Sequence, residues 1–600
     1  MALLTIFAML AMVAASSDAQ SVVYNTSFDK AATISGWDKY IQSTECPCPT
    51  ASVNMASKAA ARTGSAGVAV SISVTATQGW HVQLQSPQFN LSASKLYTAC
   101  FWVRTSKGSA TVHMSLLEFA GYVFIRGANL LAATNWQQVC INDFQPPSGS
   151  TVYYTLDLGL IQGTLYVDDF TLTSRPDSSA EDNNYVNKTN VAARIEKYRK
   201  GDFSIKFVNK TTNKPITGKL ASLKLRLSQH DFPFGSAMEW WGVPAAQLDW
   251  YLATAKKHFN AMVPEWSFKW PAYEPVKGQY QNTYNYLINN HIKFATANDF
   301  VLSRGHTLEW YLDDAGFVNH WSHQDGCDAY RTYLRNRITR ELSLFKGKFQ
   351  AYDVFNEVLH TRQFVSDCPG MWPGILYDGF RWAAAADPTA QLCLNEYDLI
   401  TGDDWQGMLQ LVKDMLANKV PIHCIGVQAY TSTSQVPRPT PAYMKPRLDQ
   451  LASLNLSIYI TEFNFMTGWE GNTPVWGGTQ AQHAALYDEY LRFWFSVPYI
   501  KGILMWGFWD SSNWIRNGGL YTANGTAKAA AATVASLWGS TWNTTTTATN
   551  VALSSKGVYG PTRGFYGKYV YEVTLGSKKF SGTVRFPAAN GTAQTAVVYL

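Results

Sequence analysis

From Phe232 onward, short apolar runs alternate with longer segments whose apolar residues recur every three or four positions. Eight runs have strand character: "FPFGSAM", "NAMVPE", "FVLSRGHTL", "QAYDVFNE", "LCLNEY", "IHCIGVQAY", "SIYITEFN" and "GILMWGFW". Between them, Tyr330, Leu334, Ile338 and Leu342 recur every four residues, and Leu248, Tyr251, Leu252, Ala255 and Phe259 trace a second stripe. Both spacings gather apolar side chains on one helix face. Asp328 and Asp404 stand where helix N-caps are expected. Eight strands, seven intervening helices and a closing one in "AKAAAATVASLW" predict an α/β architecture, a (β/α)8 TIM barrel of about 300 residues. An open doubly wound sheet has the same alternation, but no G-x-G-x-x-G or Walker motif follows a strand.

The flanks follow a different pattern. Residues 20–173 alternate with period two in runs such as "AGVAVSISV", "KLYTACFWVR", "TVYYTLDLGL" and "LYVDDFTL", broken by Gly, Ser, Asn and Pro. About eight such runs predict a β-sandwich or jelly roll. The polar stretch 174–190 has the composition of a linker. Residues 191–540 are assigned to the barrel domain, with a short β-rich lead-in to residue 231. Residues 541–600 are expected to be a second linker, "NTTTTATN", and a small β domain built on a hairpin around Gly576-Ser577.

Composition narrows the function classes. A chain of 600 residues is too long for one core. Its net charge of +6 comes from scattered Lys and Arg, so neither nucleic acid nor a membrane surface is an expected partner. The 22 Trp, 32 Tyr and 30 Phe either fill large cores or offer flat platforms to ligands with an apolar face and a polar rim, such as sugar rings. The apolar run Leu3–Val13 is too short to span a bilayer and fits a secretory leader, residues 1–19, cleaved after Ala19. A soluble, secreted, extracellular protein is therefore expected. Asn-x-Ser/Thr acceptors at Asn25, Asn90, Asn187, Asn209, Asn455, Asn524, Asn543 and Asn590 agree, as does an even count of eight cysteines. Cys327 and Cys368, both in expected loops, are the favoured disulfide; the other pairings stay open.

A barrel of this type keeps its reactive groups at the C-terminal ends of its strands. Those ends carry Glu265, His306, Asn356 with Glu357, Glu396, Gln428 with Tyr430, Glu462 and Trp506. Two carboxylates across a cleft, with aromatic platforms and no metal or cofactor motif, suit glycoside hydrolysis. One acid protonates the leaving oxygen, and desolvation at an apolar strand end raises its pKa for that task. Chemistry alone leaves the choice among the carboxylates open.

At these residues the chain resembles glycoside hydrolase family 10, the endo-β-1,4-xylanases. The likeness rests on "DVFNE" (353–357) and "ITEF" (460–463). "NAMVPEWSFKWPAYEP" (260–275), "RGHTLEW" (304–310), "GVQAY" and "LMWGFWDSSNW" (504–514) follow in order. It covers roughly residues 191–540. The resemblance implies a retaining mechanism with Glu357 as acid/base and Glu462 as nucleophile. It also implies sugar-binding roles for Glu265, Lys269, His306, Trp310, Asn356, Gln428, Tyr430, Trp506 and Trp514, with Asn356 on the 2-hydroxyl. Four positions depart from the family pattern. Trp266 stands for Asn, Tyr311 for His, Tyr430 for the His that contacts the nucleophile, and Asn464 for Asp. The paired change at Tyr430 and Asn464 predicts retained activity with an altered pH profile. Trp266 predicts a more aromatic subsite that takes glucose units.

Residues 20–173 resemble the jelly-roll carbohydrate-binding modules joined to such enzymes, through "YNTSFDKAATISGW" and "LYVDDFTL". Trp80, Tyr122 and Phe124 are candidate platforms, and Trp102 and Trp136 are expected in the core. "GFYGKYVYEVTL" resembles a tail on plant and animal members of the family. The expected protein is a monomeric endo-glycanase, with no cofactor or metal, acting on β-1,4-linked plant cell-wall polysaccharide. Xylan is the first substrate, cellulose or mixed β-glucan the alternative, and a non-catalytic carbohydrate-binding protein the third reading.

Overall fold

The computed structural model describes residues 21–29, 35–44, 48–146, 149–176, 180–311, 320–360, 368, 370–432, 438–471, 473–588 and 592–600. The predicted leader, Cys46 and the acceptor Asn590 lie outside the described residues. The chain divides into two compact units, one holding most of the residues up to 181 and the other those from 182 to 600. Among the described residues, no helix is long and apolar enough to cross a membrane.

The first unit contains two six-stranded sheets. Successive residues of the strand Thr151–Asp157 lie on opposite faces, Val152, Tyr154 and Leu156 on one and Tyr153, Thr155 and Asp157 on the other, and all six are buried. Phe170 is the centre of the core, with ring contacts to Tyr24, Trp37, Phe89, Phe101 and Tyr154. Cys100 and Cys140, directly opposed on neighbouring strands, are bridged. Trp102 and Trp136, expected in the core, are only half-buried. Each lies under a guanidinium, Arg62 at 3.6 Å and Arg104 at 5.2 Å, because the alternation turns both rings away from the sheet interface. Trp80, Tyr122 and Phe124 are exposed, and Trp80 stacks beside Tyr40 at 6.5 Å. On the outer face next to that stack, Gln83, Thr155 and Ser115 all donate to the Asp157 carboxylate.

The second unit is built on the predicted barrel. Its strands are β1 (Phe234–Met238), β2 (Ala261–Pro264), β3 (Val301–Leu302 and Arg304–Gly305), β4 (Ala351–Asn356), β5 (Gln391–Tyr397), β6 (Cys424–Gln428), β7 (Ser457–Glu462) and β8 (Ile500–Met505). All pair in parallel. The two pieces of β3 close the barrel: the first pairs with β2 and the second with β4. Near-continuous burial along each strand follows from covering both faces. The stripe Tyr330, Leu334, Ile338 and Leu342 is fully buried on helix Cys327–Leu344. Cys327 and Cys368 are bridged as expected, and Cys393 and Cys424 are bridged across the β5–β6 register.

Three expectations are corrected. The β-rich lead-in does not belong with the barrel. Lys200–Val208 pairs with Val558–Phe565 and Gln594–Tyr599, and Gly218–His230 pairs with Thr545–Leu553 and Gly567–Leu575. Lead-in and C-terminal residues thus share one small sandwich, with Phe203 stacked on Phe586 at 4.0 Å between its sheets. The segment "NTTTTATN" is not a linker but most of the edge strand Thr545–Leu553, whose alternating Thr side chains suit a pleated edge. Asp328 lies inside its helix behind the cap Gly326, whereas Asp404 does stand at the N-cap of its helix, with its side chain on His360 rather than on a helix amide.

Candidate active site

β4 delivers its apolar residues to the barrel wall and ends at Asn356. Glu357 follows with φ of +60°, a left-handed conformation that turns its side chain out of the strand's alternation. Its carboxyl accepts from Trp310 Nε1 at 2.8 Å and from Gln428 Nε2 at 2.7 Å. Glu462 is the last residue of β7. It accepts from the Tyr430 hydroxyl at 2.9 Å and from Asn395 Nδ2 at 3.1 Å. Both carboxyls are buried.

A chain of amides joins them. Gln428 Nε2 lies 2.7 Å from Glu357 and 3.5 Å from Asn356 Oδ1, which accepts from Asn395 Nδ2 at 2.7 Å. Asn395 Nδ2 reaches Glu462 in turn. Thr461 Oγ1 donates to Asn395 Oδ1 at 2.6 Å and so fixes which end of that amide faces the carboxyl. Space for this contact comes from Gly426, where a Cβ would lie 2.2 Å from Asn395 Oδ1.

Burial raises the pKa of both carboxyls. Glu462 is pushed up to about 8, first by desolvation and then by the charge on Glu357; Lys269, Tyr430 and Asn395 pull it back. Glu357 is raised by desolvation and then by Glu396, against donors from Gln428 and Trp310 and the charge of His360. Both shifts come first from desolvation, and the like charge of Glu357 adds to that of Glu462. Lys269 is buried, and among the carboxylates around it Glu462 acts on it most strongly, ahead of Glu265 and Glu357. Glu265 is pushed up to about 7 by burial. Tyr430 stays a neutral donor because burial and Glu462 raise it well above its usual range. Trp514 packs edge-on against the Tyr430 ring at 4.9 Å.

His306 Nδ1 lies 2.9 Å from Asp353, which also pairs with Arg304. Desolvation and the charges of Lys269 and Arg304 keep His306 neutral. The acceptor-only Asp353 therefore places the proton on Nδ1, leaving Nε2 as an acceptor. Trp506 stands edge-on to this ring at 4.9 Å.

Each candidate from the sequence thus lies at or beside this cluster, with Glu396 behind Glu357 rather than bonded to it. Glu396 instead accepts from the Leu359 amide and contacts His360 at 2.8 Å. Asn464 also turns away from Glu462: it accepts the Trp506 amide at 3.1 Å and donates to Gly507 O. Tyr311 is buried against His323 at 4.4 Å. Sequence reasoning missed Asn395, Asp353 and Glu239. The Asn-Glu pair on β5 was the available signal, but the Glu was chosen. Among the described residues, His360, Asp398 and Asp404 have metal-ligand spacing, with ligand atoms within 4.8 Å of one another. His360, however, presents both nitrogens to carboxylates at 2.8 Å and is held protonated, which leaves no lone pair for a metal.

The model of glycosyl hydrolase family 10 matches residues 222–537. The anti-sigma-I factor RsgI6 of Acetivibrio thermocellus is 30% identical over 67% of this chain and 49% of its own length. Endo-1,4-beta-xylanase 1 of Arabidopsis thaliana is 27% identical over 64% of this chain and 38% of its own. The chain thus spans about half, or less, of these relatives. Xylanase 10B of Thermotoga petrophila, solved with xylobiose, is 22% identical over 51% of this chain and 95% of its own, with a TM-score of 0.44. The matched residues exceed half the chain and include both buried carboxyls and every amide between them: the chain belongs to glycosyl hydrolase family 10.

Proposed function

We propose that this protein is a secreted, monomeric endo-glycosidase that hydrolyses the β-1,4-linked backbone of xylan with net retention. The amide chain from Glu357 to Glu462 carries this reading, because it couples an acid to a nucleophile through fixed donors. In the first step the Glu462 carboxylate attacks the anomeric carbon while Glu357 gives its proton to the departing glycosidic oxygen. The C–O bond to the leaving chain breaks and a glycosyl ester on Glu462 forms. In the second step Glu357, now a carboxylate, takes a proton from water. The hydroxide adds to the anomeric carbon and the ester bond to Glu462 breaks. Lys269 stands where the Glu462 charge is needed, and Asn356 is available to the 2-hydroxyl. The xylanase relative supports xylan as the first substrate. Glu265, Lys269, His306, Gln428, Tyr430, Trp310, Trp506 and Trp514 form the sugar-binding lining.

The first unit is proposed to bind the same polysaccharide. Its support is the exposed Trp80–Tyr40 stack, an aromatic face that suits sugar rings. Incubation with xylan and carboxymethylcellulose, read by reducing ends, tests the activity and ranks the substrates. Proton NMR of the first-formed anomer tests retention. Inactivity on both polymers overturns the reading.

A further inference from the structure

We infer that the outer face of the four-stranded sheet in the small sandwich docks an acidic polysaccharide, one whose sugars carry uronic-acid carboxylates. The cations are scattered along the chain, but the fold gathers them. Residues 200–231 and 545–600 together hold 13 Lys and Arg against 3 Asp and Glu, a net charge of +10, while the rest of the chain stands at −4. The modest total of +6 thus hides a strongly basic body.

The sheet runs in the order Thr545–Leu553, Gly218–His230, Gly567–Leu575, Lys578–Phe586. Leu223, Leu225 and Leu227 face the core, so alternation turns Lys224 and Arg226 outward. Register sets Lys224 between Thr547 and Glu572, and Arg226 between Thr545 and Val570. On the same face Lys568 lies opposite Arg585, and Thr574 opposite Lys579. Five cations therefore share this face with one acid of the same strands, Glu572. Lys568 is engaged by Asp299 at 3.0 Å and Arg585 by Asp231 at 2.7 Å. Lys224, Arg226 and Lys579 are exposed and form no ion pair among the described residues. The three-stranded sheet differs: there Arg563 meets Glu196 at 2.6 Å and Asp202 at 3.3 Å, and Lys200 meets Glu196 at 2.7 Å. Lysines on a sheet edge guard against strand addition, but Lys224 and Arg226 stand on a strand that is paired on both sides. Uncompensated like charges repel one another, and a bound anion relieves that repulsion.

The layout suits a polymer. Neighbouring strands and alternate residues set cations about 5–7 Å apart, a repeating array for repeating carboxylates. Thr545, Thr547, Ser581 and Thr583 are exposed among them, and their hydroxyls can exchange hydrogen bonds with sugar hydroxyls. Tyr569 and Tyr571 are buried on the opposite face, so bases of a single-stranded nucleic acid find no stacking platform on these strands. The choice of a polysaccharide rests on the proposed glycosidase reading; the cationic face does not.

The test uses the full chain carrying Glu462→Gln, so that the polymer is not consumed. Its binding to glucuronoxylan at low salt is compared with binding to the same polymer after reduction of its carboxyls. The native polymer is expected to bind about tenfold more tightly, and added salt to erode the difference. Lys224→Gln, Arg226→Gln and Lys579→Gln combined should abolish that ratio with the thermal midpoint unchanged. Lys256→Gln, Lys257→Gln and Lys293→Gln, which remove the same charge from exposed barrel helices, should preserve it. Equal binding of both polymers, a ratio that survives the first triple variant, or equal losses in the two triple variants would overturn the inference. Tighter, face-dependent binding to a DNA duplex or to phosphatidylserine vesicles would overturn the polysaccharide assignment. Hydrolysis of the carboxyl-reduced xylan, with Glu462 restored, should not differ between wild type and the first triple variant. Inactivity of both overturns the glycosidase reading and not the docking face.

Discussion

The two carboxyls at the ends of β4 and β7 are the same residue type, both buried, and differ only in their company. Glu357 meets neutral donors, Gln428 and Trp310, with Glu396 behind it. Glu462 meets a phenol and an amide, with the Lys269 cation close by. Desolvation alone cannot make one an acid and the other a nucleophile, because it raises both. The placement of one positive charge distinguishes them: Lys269 acts more strongly on Glu462 than on Glu357 and favours the anion there, against a burial that raises both.

Removing either carboxyl should break this comparison most severely. Glu462→Gln is expected to lower turnover of xylan on the order of 10⁴-fold or more, and Glu357→Gln on the order of 10²–10⁴-fold, with polysaccharide binding retained in both. Azide with an activated aryl glycoside then separates the roles. Glu357→Ala should yield the β-glycosyl azide and Glu462→Ala the α-azide, read by NMR; the same anomer from both would refute the assignment.

Asn395→Ala acts on both sides at once, since Asn395 bonds Asn356 and Glu462 together. Loss of a buried bond to a charged group costs roughly 1.5–3 kcal/mol, so the thermal midpoint should fall, and kcat measured well below it should fall about 10- to 100-fold. Gly426→Ala, which crowds the same amide, should reproduce the kinetic defect.

Lys269→Met sharpens the contrast. Without the cation Glu462 titrates higher. The acid limb of kcat/KM, which requires Glu462 ionised, should move alkaline by about one unit or more, while the limb set by protonated Glu357 moves less. Tyr430→Phe should shift the acid limb in the same direction by less, because a lost neutral donor favours the carboxylate less than a lost ammonium does. Unchanged pH profiles in both variants would remove the electrostatic account.

Much of this site was legible along the chain. Strands β4 and β7 each end an apolar run in a carboxylate, and local burial is enough to make that unusual. His306, Gln428 and Tyr430 were likewise marked by their places at predicted strand ends, whereas Lys269 came only with the family resemblance. The choice between Asn395 and Glu396 was not legible. Neighbouring strand residues point to opposite sides, and a one-residue change of register exchanges them. Asp404 stands at its expected N-cap, but its side-chain partner was not legible: it is His360, forty-four positions away in sequence but 2.8 Å in space.

Within the barrel, the sequence by itself determined which segments are strands and which are helices, because side-chain periodicity and backbone sterics act over a few residues; the expected linkers 174–190 and "NTTTTATN" instead carry the helices Ala180–Val186 and Lys188–Tyr198 and the strand Thr545–Leu553. It also determined the chemical inventory at the strand ends. Only the tertiary structure decided that residues 200–230 fold with residues 545–599, that Cys393 meets Cys424, and that Lys269 stands nearer in effect to Glu462 than to Glu357. Alternation makes a segment a strand without naming its partner, and the position of a charge relative to a carboxyl depends on how distant segments pack. The two acids are therefore written in the chain, and the difference between them is written in the fold.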